Sequence, residues 1–190
     1  NANVLQEVQD ADTITKENVD SSIEASTVDG KLYAYPFAAD NGYFLFYDKN
    51  VVSEEDAKSW DKILQDCQSA GKKAGMVYAS GWYTAGFFYG AGFTTKLQDD
   101  GSTKMDWNKT SSTGVKGTDV AQGMIDIAKN PAFLPITDGD TTNQIATGSL
   151  GAIVSGTWDA TAVKEAFGTE DVVSSHEKGT TVIKAPQKLD

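Results

Sequence analysis

The sequence predicts an α/β domain with a largely parallel sheet flanked by helices. Three observations carry this. Short apolar runs with strand character alternate along the chain with segments whose apolar residues recur at helical spacing. Two of those runs, Tyr43 to Tyr47 (YFLFY) and Leu150 to Val154 (LGAIV), are apolar throughout, as strands covered on both faces are in parallel sheets. Finally, the 190 residues are 39% apolar and 23% charged, a globular balance in a chain long enough to bury roughly 70% of its unfolded surface.

The elements follow in order. Residues 1 to 29 are polar and acidic, with weak helical signals at Leu5 and Val8 and again at Val19 and Ile23. Asp29-Gly30 marks a turn. Lys31 to Phe37 (KLYAYPF) reads as extended and is stopped by Pro36. After the YFLFY strand, Ser59 is placed to cap a helix whose stripe is Trp60, Ile63, Leu64, Cys67 and Ala70, with Gly71 at its end. Ala74 to Tyr78 is the next strand, and a glycine-rich, largely buried helix starts near Trp82. Asp99-Asp100-Gly101 sits in a hairpin. Thr118 to Lys129 carries the stripe Val120, Ala121, Met124, Ile125 and Ala128, and Asn130-Pro131 ends it. A short helix near Thr142 to Thr147, the LGAIV strand, a helix through Trp158, Ala162, Val163, Ala166 and Phe167 stopped by Gly168, and a strand at Thr180 to Lys184 complete the pattern.

Composition excludes several functions. With 27 acidic against 16 basic residues, the net charge of −11 leaves nothing to neutralise a run of phosphates, which argues against nucleic acid and against an anionic membrane surface. One cysteine, Cys67, allows no internal disulfide and no thiolate-rich zinc site. One histidine, His176, removes most imidazole chemistry. Asn1 to Asp10 lack the regions of a signal peptide, and Gly81 to Phe93, the longest apolar stretch, is too short and too interrupted to span a membrane.

Enzyme motifs are missing. There is no P-loop, and Gly90-Ala91-Gly92 lacks the third glycine of a dinucleotide fingerprint. Asp138-Gly139-Asp140 resembles the start of a calcium loop but has Asn143 where glycine is needed and Ser149 where glutamate is needed, so a turn is the better reading. A Cys67–His176 dyad fails because Cys67 lies on an apolar helical stripe, where cysteine acts as a small hydrophobe. No spacing singles out an acid pair for glycoside hydrolysis, and Asn108-Lys109-Thr110 is a glycosylation sequon of the kind that arises by chance. Neither a cofactor nor a metal site follows from the residues.

The aromatics say more. Trp60 belongs to a core stripe, whereas Trp107, after the hairpin, suits either core or surface. Trp82-Tyr83 and Trp158 each stand where a strand gives way to a helix. In a parallel α/β sheet such junctions lie at the carboxyl ends of the strands, where ligands bind. An aromatic ring there can stack on the C–H face of a sugar while polar neighbours take the hydroxyls; equally, it can simply cap the sheet. Both readings stand on position alone.

Several segments carry a family resemblance. Gly30-Lys31-Leu32-Tyr33-Ala34-Tyr35-Pro36, then Phe46-Tyr47-Asp48-Lys49, then Ser59-Trp60-Asp61-Lys62-Ile63, and later Gln144 through Trp158 (QIATGSLGAIVSGTW), are similar in order and spacing to maltose-binding proteins and, more broadly, to extracellular solute-binding proteins of sugar ABC transporters. The resemblance implies one lobe of a two-lobed periplasmic-binding-protein-like (type II) fold. Residues 1–38 would be hinge and connector belonging partly to a first lobe, and 39–190 the ligand-binding second lobe. It implies a non-catalytic receptor for an oligosaccharide, maltodextrin-like, that works outside the cell, surface-attached or periplasmic, with the permease subunits of a transporter. Site residues carry over position by position: Asp40 and Ser80 as hydrogen-bonding groups, and Trp82, Tyr83 and Trp158 as stacking surfaces. Ser80-Gly81 stand where the family member has a carboxylate before its aromatic pair, so a charge-assisted bond to maltose would be lost. Rival readings are a receptor of the same fold for a polyamine or an anion, and a glycoside hydrolase. An anion receptor would want an arginine at a helix start, and none is found.

Overall fold

The apolar runs form short, well-bounded elements in the computed structural model, which describes residues 4–37, 39 and 41–168. The chain divides into two compact units, Asn1–Gly42 and Tyr43–Asp190. In the first, helices α1 (Ala11–Glu17) and α2 (Asp20–Ala25) precede a hairpin of β1 (Thr27–Val28) and β2 (Lys31–Leu32). Its turn is Asp29-Gly30, both at positive φ (50° and 76°), the backbone that a tight two-residue hairpin needs and that Asp and Gly tolerate best. The helical signal at Leu5 and Val8 gives no helix. Val8 instead donates its N–H to the Leu32 carbonyl at 2.9 Å and buries its side chain. Of the extended stretch Lys31 to Phe37, only Lys31–Leu32 is strand.

The second unit runs β3 (Tyr43–Tyr47), α3 (Trp60–Ser69), β4 (Lys73–Met76), α4 (Gly81–Gly90), β5 (Thr95–Leu97), β6 (Thr103–Met105), α5 (Gly117–Lys129), β7 (Phe133–Pro135), α6 (Thr141–Ala146), β8 (Leu150–Gly156) and α7 (Ala160–Phe167). The strand predicted at Thr180 to Lys184 lies outside the described residues. Four strands make the central sheet in the order β3-β8-β4-β7. β8, β4 and β7 run parallel, so the sheet is mainly parallel as the alternation predicts. The direction of β3 is a correction: it is an antiparallel edge strand paired with β8, and only Leu45 and Phe46 of its five residues are buried. A run of aromatics is apolar whichever way it points, so its composition could not tell an edge strand from a central one. The true centre is β8, buried at all seven positions. β7 was missed altogether. It has three residues and ends in Pro135, whose lack of an N–H does no harm at the end of an edge strand.

The α3 stripe packs as its spacing predicts as far as Cys67, whereas the α5 stripe is a correction: Val120 is buried and Met124 half-buried, but Ala121, Ile125 and Ala128 are exposed, and Ile127, off the predicted stripe, is buried instead. Trp60, Ile63, Leu64 and Cys67 of α3 are all 2% exposed or less, each large side chain contributing roughly 1.5–3 kcal/mol by leaving water. The Trp60 ring lies 6.1 Å from Phe87 and 6.0 Å from Phe133, tying α3 to α4 and β7. Ser59 has the extended backbone of an N-cap, but its buried hydroxyl caps nothing and has no partner among the described residues. Gly71, at φ 66°, closes the helix just beyond its end. Burial pushes the Cys67 thiol up to about 11, which suits an inert core group. Trp107 is a packing residue: it stacks on Phe88 at 4.3 Å with planes 6° apart. His176 lies outside the described residues. Among the described residues, no helix is long and apolar enough to cross a membrane.

Candidate functional site

The register of the sheet brings the site together. Met76 at the end of β4 sits opposite Val154 of β8 and Pro135 of β7, so the three parallel strands finish at one edge. The antiparallel β3 begins at that same edge, with Tyr43 directly across from Gly156. Four segments therefore converge on the carboxyl ends of the parallel strands: Tyr43, the β4–α4 junction, the β7–α6 loop, and the turn after β8. This is where parallel α/β sheets bind ligands.

Trp158 lies in a single 3-10 turn, Thr157–Asp159, between β8 and α7. Its indole is 53% exposed and lies against Gly156: a methyl group there would overlap Cε3, Cζ3 and Cη2 of the ring. Gly156 has φ −89° and ψ 176°, extended backbone that any residue adopts. Glycine is needed here for room, because its bare Cα is the seat of the indole. Directly opposed residues of an antiparallel pair share a face, so Tyr43 flanks that seat.

Trp82 and Tyr83 open α4. Trp82 is 54% exposed and meets the Tyr43 ring edge-on at 6.1 Å. Tyr83 turns inward and is only 6% exposed, its ring 5.1 Å from that of Tyr43. The resemblance treats the two as a stacking pair; in the structure Trp82 offers an open face, and Tyr83 backs it. Ser80 is half-buried at the N-cap. Its carbonyl accepts the N–H groups of Tyr83 (3.2 Å) and Thr84 (3.1 Å), while its hydroxyl makes no capping bond. Asp40 lies outside the described residues. Trp82, Ser80 and Trp158 thus follow the carboxyl ends of adjacent strands β4 and β8, and Tyr43 of β3, across from Gly156, meets Trp82.

A buried polar chain supports this edge. Asp159, 1% exposed, accepts hydrogen bonds from the hydroxyls of Ser155 (2.6 Å) and Thr142 (2.7 Å). It thereby joins the end of β8, the turn carrying Trp158, and α6. Burial raises the Tyr83 phenol above its usual range; the Ser155 hydroxyl partly offsets this, and the charges of Asp138 and Asp159 add to it. Burial likewise raises the Tyr43 phenol, with Tyr89 contributing. Tyr43 and Tyr83 are therefore neutral at physiological pH and present hydroxyls rather than charges. Among the described residues, no three His, Cys, Asp or Glu side chains come together to hold a metal ion. Sequence reasoning missed Tyr43 and Asp159. Tyr43 needed the direction of β3, and Asp159 follows Trp158 directly but looks like any acidic residue at a helix start.

A family model described as bacterial extracellular solute-binding protein matches residues 1–185. The chain belongs to that family. The family consists of binding proteins that act outside the cytoplasm. Comparison with curated proteins finds no match. Among solved structures, this solute-binding protein is similar to one determined with acarbose, at 27% identity and a TM-score of 0.60 over 86% of this chain. It also shares the fold of a maltodextrin-binding protein from L. casei BL23 determined without ligand, at 24% identity and a TM-score of 0.56 over 87% of this chain. It spans only 41% and 42% of those two chains.

Proposed function

We propose that this chain is the second lobe of a solute-binding receptor that captures a maltodextrin-like oligosaccharide for an ABC transporter, without catalysis. The observation that carries this reading is the pair of half-exposed indoles, Trp82 and Trp158, at the carboxyl ends of hydrogen-bonded strands β4 and β8, with the Tyr43 ring against Trp82. The reading is supported by the similarity to a protein solved with acarbose and to a maltodextrin-binding protein. The indoles offer flat apolar faces to the C–H surfaces of sugar rings. The free Ser80 hydroxyl takes sugar hydroxyls, and so does Asp40, which the resemblance assigns at the hinge. In the two-lobed receptor, ligand touching both lobes would favour the closed arrangement, which the permease subunits then engage.

The test is ligand-observed saturation-transfer NMR on the 190-residue chain with maltose and longer maltodextrins, other oligosaccharides, and a polyamine and simple anions as controls. Transfer to maltodextrins that is lost in Trp158→Ala and Trp82→Ala, with the fold intact by circular dichroism, is the expected result. Transfer to the controls but to no sugar would overturn the ligand class, and turnover of an oligosaccharide would overturn the non-catalytic reading.

A further inference from the structure

Helix α4 carries a second exposed aromatic on the same face as Trp82. Tyr89 follows seven residues later, two turns less about 20°, which puts it in line with Trp82 and about 10 Å farther along the helix. It is 50% exposed, against 54% for Trp82. The residues between them on this face are Ala85 and Gly86, too small to interrupt a surface running from one ring to the other.

The Tyr89 ring is held in place. It meets Trp107 edge-on at 5.8 Å with planes 83° apart, and Trp107 is itself stacked on Phe88. The backbone at Trp107 packs closely on Gly117, its carbonyl occupying the space a methyl group there would need. A ring ordered before ligand arrives loses little side-chain freedom on binding, so more of the contact energy appears as affinity. Tyr43 meets Trp82 edge-on, so the strip begins at the proposed site.

We infer that Tyr89 is an outer stacking subsite for the sugar units of an oligosaccharide that extend beyond Trp82, and that it sets a preference for longer chains. This rests on the proposed carbohydrate-binding reading. Ring stacking acts over centroid separations of about 4.5–7 Å. The two residues' backbone positions are about 10 Å apart along the helix, so a unit seated on Trp82 does not also cover Tyr89, and only a longer ligand reaches both. The occupant is the continuation of the same saccharide, because the strip begins at the edge that holds Trp82.

The experiment compares maltose with maltohexaose by NMR titration on the unaltered chain and on Tyr89→Ala, Tyr89→Phe and Trp82→Ala. In Tyr89→Ala, affinity for maltohexaose should fall about fivefold while that for maltose stays within about twofold, and Tyr89→Phe should keep both. Near-ultraviolet circular dichroism confirms that Trp107 stays packed. If Tyr89→Ala binds both sugars as the unaltered chain does, or weakens for both equally, the outer subsite is wrong; loss of both sugars in Trp82→Ala would then leave the function reading standing. No sugar binding by the unaltered chain would overturn the function reading, and the subsite with it.

Discussion

Substituting Gly156 by alanine tests how the site is built rather than whether it folds. The backbone there is extended (φ −89°, ψ 176°), so alanine introduces no conformational strain. All of its effect comes from the methyl group, which would fall inside 3.0 Å of three indole carbons of Trp158. Carbon atoms rest about 3.5–4.0 Å apart, so the ring must retreat by about 1 Å or more. Overpacking a closed core costs roughly 1–3 kcal/mol. Here one side of the indole is open to solvent, and the ring can lift away, so the stability loss should stay near 1 kcal/mol. Binding should suffer more. A stacked ring contributes about 0.5–1.5 kcal/mol, which is roughly two- to tenfold in affinity, and a lifted indole no longer occupies its seat on Gly156. Urea unfolding measures the first effect and NMR titration with maltodextrin the second. An alanine variant that binds as the unaltered chain does, while Trp158→Ala loses affinity, would falsify the idea that Gly156 seats the working position of the ring. A variant that fails to fold would show that the indole is not free to move.

Other predictions concern the support beneath the site and its response to acid. Asp159→Ala removes the shared acceptor of Ser155 and Thr142; it leaves the buried Ser155 hydroxyl unpaired, while the exposed Thr142 can turn to water, and it should cost about 2 kcal/mol in urea unfolding, with Asp159→Asn costing about half that. An alanine variant as stable as the parent would remove Asp159 from the framework. Acid should loosen two loops. The backbone N–H and hydroxyl of Thr94 hold the Asp106 carboxyl below its usual 3.8, and the Gln144 and Asn143 amides do the same for Asp140. A carboxylate whose value is depressed on folding stabilises fully above its unfolded value and loses that contribution as the pH falls through the folded one. The Thr94 amide and the Gln144 side-chain amide should therefore keep their native NMR shifts down to about pH 4 and depart from them below it. Departure already near pH 6 would contradict the assignment.

Much of the scaffold was legible because it rests on local pattern. The α3 stripe from Trp60 to Cys67, the Asp29-Gly30 turn and the Gly168 stop all use periodicity or backbone preferences contained within a few residues. The elements misread depended on distant partners. Val8 carries a helical signal, yet its N–H is taken by Leu32, 24 positions away in the sequence. YFLFY is a strand, but its antiparallel direction is set by pairing with β8. β7 is too short to show a period, and it exists because β4 offers it an edge.

The site divides in the same way. The sequence by itself determined that Trp82, Tyr83 and Trp158 stand at strand-to-helix junctions, and that a chain with a net charge of −11, one cysteine and one histidine offers no internal disulfide and little with which to neutralise a run of phosphates. That information is local and compositional. Only the tertiary structure decided which aromatic faces are open: Trp82 and Trp158 project, Tyr83 turns inward, and Tyr43 joins them from a strand more than thirty residues away. Exposure and adjacency depend on strand order and register, which arise when the whole sheet assembles and its side chains compete for the same interior. No short window of sequence contains that competition.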